Sequence, residues 1–455
     1  MTRAAAGCLL AASVLAMPLQ DARAQSLIDA LASAYSTNPT LRAAQAELRS
    51  VNEQVPQALA GWRPTVSVSG SAGVESREQK TSLGTSEDDL NPAQAQLEVS
   101  QNIWRGGRTV ADTDRAKSTV QAQRAFLINT EQDVLLRAAT AYMNVWRDES
   151  ILQLNISNEQ VLGQQLEASN VRFEVGELTR TDVSQSEARL ALATANRVQA
   201  EGNLRASRAI YEELIGQPPV SVQPPPALRG LPNSQQAVAT QARQENPAVI
   251  AAAYLYRAAG YQIRNVTGEL LPQVSVVGRL TASDEVVSSS TSEQSAAVLA
   301  QVSIPLYQAG AVSSRVRQAK QVEGQRRLEL DEARSNAEQR AITAWEALQS
   351  AEAQIRSFES QVSANSIALE GVRQEYSVGV RTTLDVLDAE QELFDSQVSL
   401  VGAQRDEIVA GFQLLSALGR MTAFELGLPV EIYDIQRDYE AIDDAWFGLN
   451  APGTE

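Results

Sequence analysis

Histidine is absent from this 455-residue chain, which removes Ser-His and Cys-His nucleophile pairs and every histidine-based zinc site. Cysteine is nearly absent. Cys8 is the single one, it lies in the apolar stretch near the start, and the apolar run before it is too short for a lipoprotein site. The chain beyond it can form no disulfide and offers no thiolate to a soft metal, so no cofactor or metal is expected. Aromatic residues make up 5% against 44% hydrophobic residues overall, a composition that fills a core without many large anchors. Long apolar runs are missing too: past the first residues nothing approaches the roughly 18 consecutive apolar positions of a spanning helix. Any membrane crossing must then be made by strands. Positive charge is scarce, with 38 Lys and Arg against 55 Asp and Glu and a net charge of -17, which argues against nucleic acid as a partner.

The first 24 residues read as a secretory leader. Arg3 is a sparse basic start, Ala4 to Ala16 an apolar run, and Ala22-Arg23-Ala24 a small-x-small cleavage site, so the mature chain is expected to begin at Gln25.

Proline is missing from two long stretches, Pro92 to Pro218 and Pro305 to Pro429, both rich in Ala, Leu, Gln, Glu and Arg. This predicts long helices. Within the first, Leu135, Ala138, Tyr142, Val145, Leu152 and Ile156 recur near a 3.5-residue spacing, as antiparallel coiled-coil packing requires. The helix starting at Gly107 would run for about 100 Å at 1.5 Å per residue.

The two stretches are copies. "YSVGVRTTLDVLDAEQELF" from Tyr376 echoes "FEVGELTRTDVSQSEARLAL" from Phe173, and Gly379 minus Gly176, Asp385 minus Asp182 and Gly419 minus Gly216 all give 203. Upstream, Asn38-Pro39 matches Asn246-Pro247 and Pro64 matches Pro272 at 208, so five extra residues lie in the first half between Pro64 and Trp104. The polar stretch at 81–92 is the expected loop that holds them. Around it, Val66, Val68, Gly70 and Ala72 alternate with Ser and Thr, and Ala93, Ala95, Leu97 and Val99 alternate with Gln, Glu and Ser. Such alternation predicts two-faced strands, repeated by Val274, Val276 and Leu280 and by Val298, Val302 and Ile304. Four units result: the leader 1–24; a first repeat 25–232 with a β-hairpin at about 65–103, a helical hairpin at about 107–215 and a Pro-rich linker 216–232; a second repeat 233–428 with a β-hairpin at about 273–306 and a helical hairpin at about 310–418; and an acidic, irregular tail 429–455, anchored by Trp446 and Phe447.

In each helical hairpin Gly176 or Gly379 stands where a helix ends in the left-handed region, and Thr179 or Thr382 where the next is capped. Asp182 and Asp385 then fall in the first turn, where carboxylates suit the dipole. Capping explains the duplication. It does not explain Asp388. At 100° per residue Asp385, Asp388, Glu392 and Asp395 share one quadrant of the helix, whereas the first copy has Asp182, Gln185, Arg189 and Leu192. A solvated face accounts for such a stripe as well as a function does.

Four strands cannot close a barrel, which needs about eight, and an open two-faced sheet leaves aggregating edges, so several copies must pool their hairpins. The turn motif, its echo and the strand-loop-strand before each long helix resemble the TolC-type outer-membrane efflux proteins over nearly the whole mature chain. The resemblance implies a mainly α fold with a β-barrel part: a homotrimer whose long antiparallel coiled-coil helices form a periplasmic α-barrel beneath a 12-stranded transmembrane β-barrel in outer-membrane lipid. It implies a passive exit duct for efflux or type I secretion, working with a periplasmic adaptor and an inner-membrane pump. Carried over by position, Asp385 and Asp388 ring the periplasmic constriction, and Tyr376 and Arg381 latch against Thr181 and Asp182. The first copy has Phe173 in place of Tyr376 and lacks the second hydroxyl. Two other readings stay open at this level: a periplasmic helical-hairpin adaptor or scaffold, against which the two alternating hairpins count, and a carboxylate-based hydrolase, for which no convergent motif can be named.

Overall fold

The structure, a computed structural model, describes residues 26–82, 84–225, 230–443 and 445–449. The leader and its cleavage site lie outside the described residues. Two equatorial helix groups open the two halves. The first holds α1 (Leu27–Thr37), α2 (Pro39–Asn52) and α3 (Gln54–Leu59). The strands β1 (Thr65–Ala72), β2 (Glu75–Thr81), β3 (Gly84–Leu90) and β4 (Ala93–Arg105) follow, then α4 (Arg108–Glu174) and α5 (Arg180–Ile215). The second group is α6 (Gln235–Glu245) and α7 (Pro247–Gly268), followed by β5 (Gln273–Asp284), β6 (Ser292–Ser303), α8 (Ala311–Ser377), α9 (Thr383–Ala417) and the short α10 (Ile435–Asp443).

Each group turns on an asparagine followed by proline. Asn38 Oδ1 accepts from the Thr40 amide at 2.9 Å while its Nδ2 donates to the Leu214 carbonyl at 3.3 Å. Asn246 does the same with the Ala248 amide at 2.9 Å and the Ala417 carbonyl at 3.0 Å. One side chain thus caps an equatorial helix and ties it to an orphan carbonyl at the end of a long one. Proline at the first helical position costs nothing there, because its missing N–H would be unpaired anyway.

The four-stranded sheet is antiparallel in the order β1-β4-β5-β6. Its register sorts the side chains by face. Val66, Val99, Gly278 and Val298 lie side by side, as do Val68, Leu97, Leu280 and Ala296. One residue along, Ser67, Glu98, Arg279 and Ala297 form a row on the other face, where Arg279 Nη2 lies 2.8 Å from Glu98 Oε2. The apolar row is bare in the protomer, with Val68 78% and Val298 80% exposed. A slip of one residue would exchange the two faces, so this register is strongly specified.

Two sequence expectations are corrected. The stretch 81–92 is not simply a loop: β3 pairs with β2 in a separate two-stranded ribbon, turned near Gly84 at φ 141°. Apart from Leu90 at its base, both faces of that ribbon are polar, so no apolar parity marked it as strand. The tail is not wholly irregular either. α10 forms within it, and Tyr439 packs against Val55, Ala116 and Val120. Trp446 docks under the Arg63 guanidinium, 4.7 Å from its ring, but Phe447 is exposed and anchors nothing.

α4 and α8 are 67 residues each, about 100 Å at the helical rise. The main core sits where α4 passes the equator: Leu135, Ala138, Tyr142 and Val145 are fully buried with Leu31, Leu41, Tyr211 and Ile215. The Tyr142 hydroxyl escapes a desolvation penalty by bonding to Gln223 of the linker, donating to its carbonyl at 2.9 Å and accepting from its amide at 3.1 Å. The segment after α9 crosses onto the same core through Met421, Ala423 and Leu428. Its entry is fixed by Glu131, whose Oε1 accepts from the Ala423 amide at 2.7 Å.

Burial pushes the Glu131 carboxyl above its ordinary value of 4.5, partly offset by the Ala423 amide. Below that value both folded and unfolded chains are protonated and no penalty exists. As pH rises, the unfolded chain ionises first, so stability falls until the folded carboxyl also ionises. Glu131→Gln keeps the acceptor and is expected to flatten this fall, so that the variant gains stability relative to the parent as pH rises toward 7 and loses that advantage at acid pH. Urea unfolding of the detergent-solubilised protein across this range is the check.

Candidate functional site

The two helical hairpins turn at their far ends by the same backbone device. Gly176 and Gly379 take φ of 80° and 81°, a conformation that a side chain would strain. The amides beyond them close the turn, Glu177 to the Arg172 carbonyl at 2.9 Å and Val380 to the Glu375 carbonyl at 3.0 Å. The next helix starts with a reciprocal cap in both copies. Asp182 accepts from the Thr179 amide at 2.9 Å and Asp385 from the Thr382 amide at 2.8 Å, while each threonine hydroxyl accepts from the aspartate amide at 3.3 Å.

The second tip carries charges that the first does not. Arg381 Nε donates to Glu375 at 2.8 Å and its Nη1 lies 3.7 Å from Asp385; Leu178 holds the matching place in the first tip. The Thr382 amide and hydroxyl, and then Arg381, hold the Asp385 carboxyl below its ordinary value. Tyr376 Oη lies 3.2 Å from Thr383 Oγ1, and the Arg172 guanidinium from the other hairpin stacks on its ring at 4.9 Å. The hydrogen bonds and ion pairs of Tyr376 and Arg381 within one protomer run to these groups rather than to Thr181 or Asp182; Thr181 is exposed.

Asp388 lies one turn beyond Asp385 and is half exposed. Its Oδ1 is 2.5 Å from Arg189 Nη2, which joins α9 to α5. Deeper in, Arg373 pairs with the buried Glu390 at 3.0 Å. Val386 and Leu387, on the opposite side of α9, are buried, so the acidic stripe is the outward one. Arg189 and Arg172 are the site residues that motif reading passes over. A signal for Arg189 did exist: 189 plus 203 is 392, so it stands in the first copy where the second has Glu392, an opposite charge at an equivalent place.

A model of the outer membrane efflux protein family matches residues 30–217 and 238–420. The chain is 34% identical over 451 residues to the outer membrane efflux protein BepC of Brucella suis, covering 98% of this chain and 96% of that one. The chain belongs to the outer membrane efflux protein family. It is also 24% identical over 423 residues to the outer membrane protein TolC of Escherichia coli, covering 89% and 84%. Among solved structures it is similar in fold to VceC of Vibrio cholerae, with a TM-score of 0.76 and 20% identity over 86% of this chain and 96% of that one. As a member of the family it is an efflux channel of the outer membrane, reaching into the periplasm.

The caps and the ion pair act on different parts of this tip. Asp385→Ala is expected to raise amide exchange over 382–386 by roughly fivefold or more, as lost caps do, while Asp385→Asn leaves it near the parent. Arg189→Ser is expected to spare those amides and to speed exchange where α5 meets α9. Hydrogen-exchange mass spectrometry separates the two patterns.

Proposed function

We propose that three copies assemble into a passive exit duct, a 12-stranded barrel in outer-membrane lipid above a helical tunnel, completed by a periplasmic adaptor and an inner-membrane pump. The carrying observation is the sheet. Its edges, β1 and β6, pair with no further strand among the described residues, and one face carries an apolar band of Val66, Val68, Leu97, Val99, Leu280 and Val298 while the other holds Glu98 and Arg279. Hydrocarbon tolerates no unpaired strand edge, so four such strands enter a membrane only as part of a closed ring. Joining β1 of one copy to β6 of the next turns every apolar row outward and every polar row toward the lumen. Twelve strands need three copies.

Relatives bear names from several export routes, among them the alkaline protease secretion protein AprF of Pseudomonas aeruginosa, 26% identical over 306 residues, and the efflux protein BepC above. The duct has no chemistry of its own in this reading. It supplies a path and a constriction. Asp385 and Asp388 in three copies would place six carboxylates around a narrow aqueous neck, where low-dielectric walls focus their field on cations. Arg189 shares the charge of Asp388 and moderates that ring. Tyr376 and Arg381 act as the latch of the resting tip, against Thr181 and Asp182 across the hairpin boundary.

A trimer of about three chain masses is expected in mild detergent, and a monodisperse monomer would overturn the assembly. In planar bilayers, Asp385→Asn with Asp388→Asn is expected to lower cation selectivity and abolish block by trivalent hexammine cations added from the periplasmic side. Equal block in mutant and parent would reduce the stripe to a solvated face. Arg381→Ser with Tyr376→Phe is expected to raise single-channel conductance, and unchanged conductance would remove the latch assignment.

A further inference from the structure

The internal repeat places two equivalent grooves on the equator, and the chain fills only one. In the first half the groove between α1, α2 and α4 receives the chain's own segment after α9. Glu131 accepts from the Ala423 amide at 2.7 Å, the Tyr35 hydroxyl accepts from the Tyr433 amide at 3.1 Å, and Arg49 lies 3.9 Å from Asp438. Leu426, Val430 and Ile435 of that segment pack on the core below. The bound chain turns over 422–430, runs without regular structure to 434 and enters α10; it packs apolar residues on the core and is acidic at Glu425, Glu431, Asp434 and Asp438.

Adding 208 to the α1 and α2 positions, and 203 to Glu131, gives the second groove. Tyr35 becomes Arg243, Arg42 becomes Ile250, Gln45 becomes Ala253, Arg49 becomes Arg257 and Glu131 becomes Arg334. These residues, with Tyr254, line an open groove of about 680 Å³ between α6, α7 and α8. The arginine that holds an aspartate in the first groove is kept. In the second it has no acidic partner among the described residues and only lies over the Tyr254 ring at 5.2 Å. Arg243 and Arg334 are held by exposed pairs alone, to Glu338 at 3.3 Å and Asp331 at 3.5 Å. Such pairs cost little to exchange for a better partner.

We propose that this second groove is a docking site for an acidic–apolar polypeptide segment of a partner protein, bound as the first groove binds the chain's own residues 421–438. At two of the equivalent positions the groove has gained a cation, Arg243 for Tyr35 and Arg334 for Glu131, and at two others it has lost a polar side chain to Ile250 and Ala253. An acid placed where Ala423 lies in the first groove would meet Arg334, and an acid in the place of Asp438 would meet Arg257. Ile250 and Ala253 offer the apolar floor between them.

The probe is a synthetic peptide of residues 421–438 with Ala423→Glu, titrated onto the detergent-solubilised full-length protein by fluorescence anisotropy at low and high salt. Saturable binding that weakens with salt is expected, with Arg257→Glu weakening it at least tenfold, as reversal of a partly desolvated charge contact does. Arg49→Glu, which alters the filled groove, is expected to leave it unchanged. A peptide with Gln and Asn for its acids is expected not to bind. No saturable binding would overturn the proposal. So would binding that is lost in Arg49→Glu but kept in Arg257→Glu, which would mean exchange with the resident tail, or equal displacement of the peptide by anionic lipid vesicles, which would mean a surface for headgroups. Ala253→Trp, which fills the floor without touching charge, is expected to abolish binding while the trimer and its unfolding midpoint remain. Full binding there would also count against the site.

Discussion

Everything above the equator depends on backbone hydrogen bonding at two strand edges. β1 and β6 each present a row of amides and carbonyls that no further strand among the described residues pairs, on a sheet whose apolar face cannot remain in water. Each unpaired group costs several kcal/mol in hydrocarbon, more over one edge than a domain's whole folding stability of roughly 5–15 kcal/mol. The register therefore does more than sort residues by face. It leaves the protomer with two open edges, and in the proposed ring it would oblige the strand edges, the helices that follow them and the tips at the far ends to share one symmetry.

A related constraint governs the helices. Beyond the equator the long helices bury few large residues: toward the tip α4 buries Asp148, Asn155, Leu162 and Ser169, and α8 buries Ala351 and Leu369. Close packing of small side chains lets long helices run side by side at short range, with weaker anchoring as the consequence. Anchoring is concentrated instead at the equator, where Tyr142, Tyr211, Leu31, Leu41 and Met143 are all fully buried. The asparagine corners at 38 and 246 sit beside this core and fasten each equatorial group to the end of a long helix. A firmly packed middle and lightly packed ends are compatible with the proposed tunnel and its latched tip.

How much of this could be read in advance depended on whether the cause was local. Strand alternation, the proline-free helices, the left-handed glycines and the Thr-x-x-Asp caps are set by neighbours within a few residues, so sequence spacing carries them. The β2–β3 ribbon was missed because a strand pair outside both core and membrane needs no apolar parity. α10 was missed because its helix is held by tertiary contacts, Tyr439 on the Val55 cluster and Asp438 near Arg49, not by propensity. The Arg189–Asp388 pair spans 199 residues. No motif contains both members.

That pair also shows what divergence of the two copies achieves. Had the first copy kept the charges of the second, a glutamate would stand at 189 and face Asp388. The copies differ there in opposite senses, Gln185 against Asp388 and Arg189 against Glu392. The result is an attraction where identical copies would repel. The equatorial grooves differ by the same logic: the first has an acceptor in Glu131 and holds a resident segment, while the second has Arg334 in its place and stays open. Fold symmetry fixed where the equivalent positions lie. Charge at those positions decided which contact is made within the chain and which is left for another molecule.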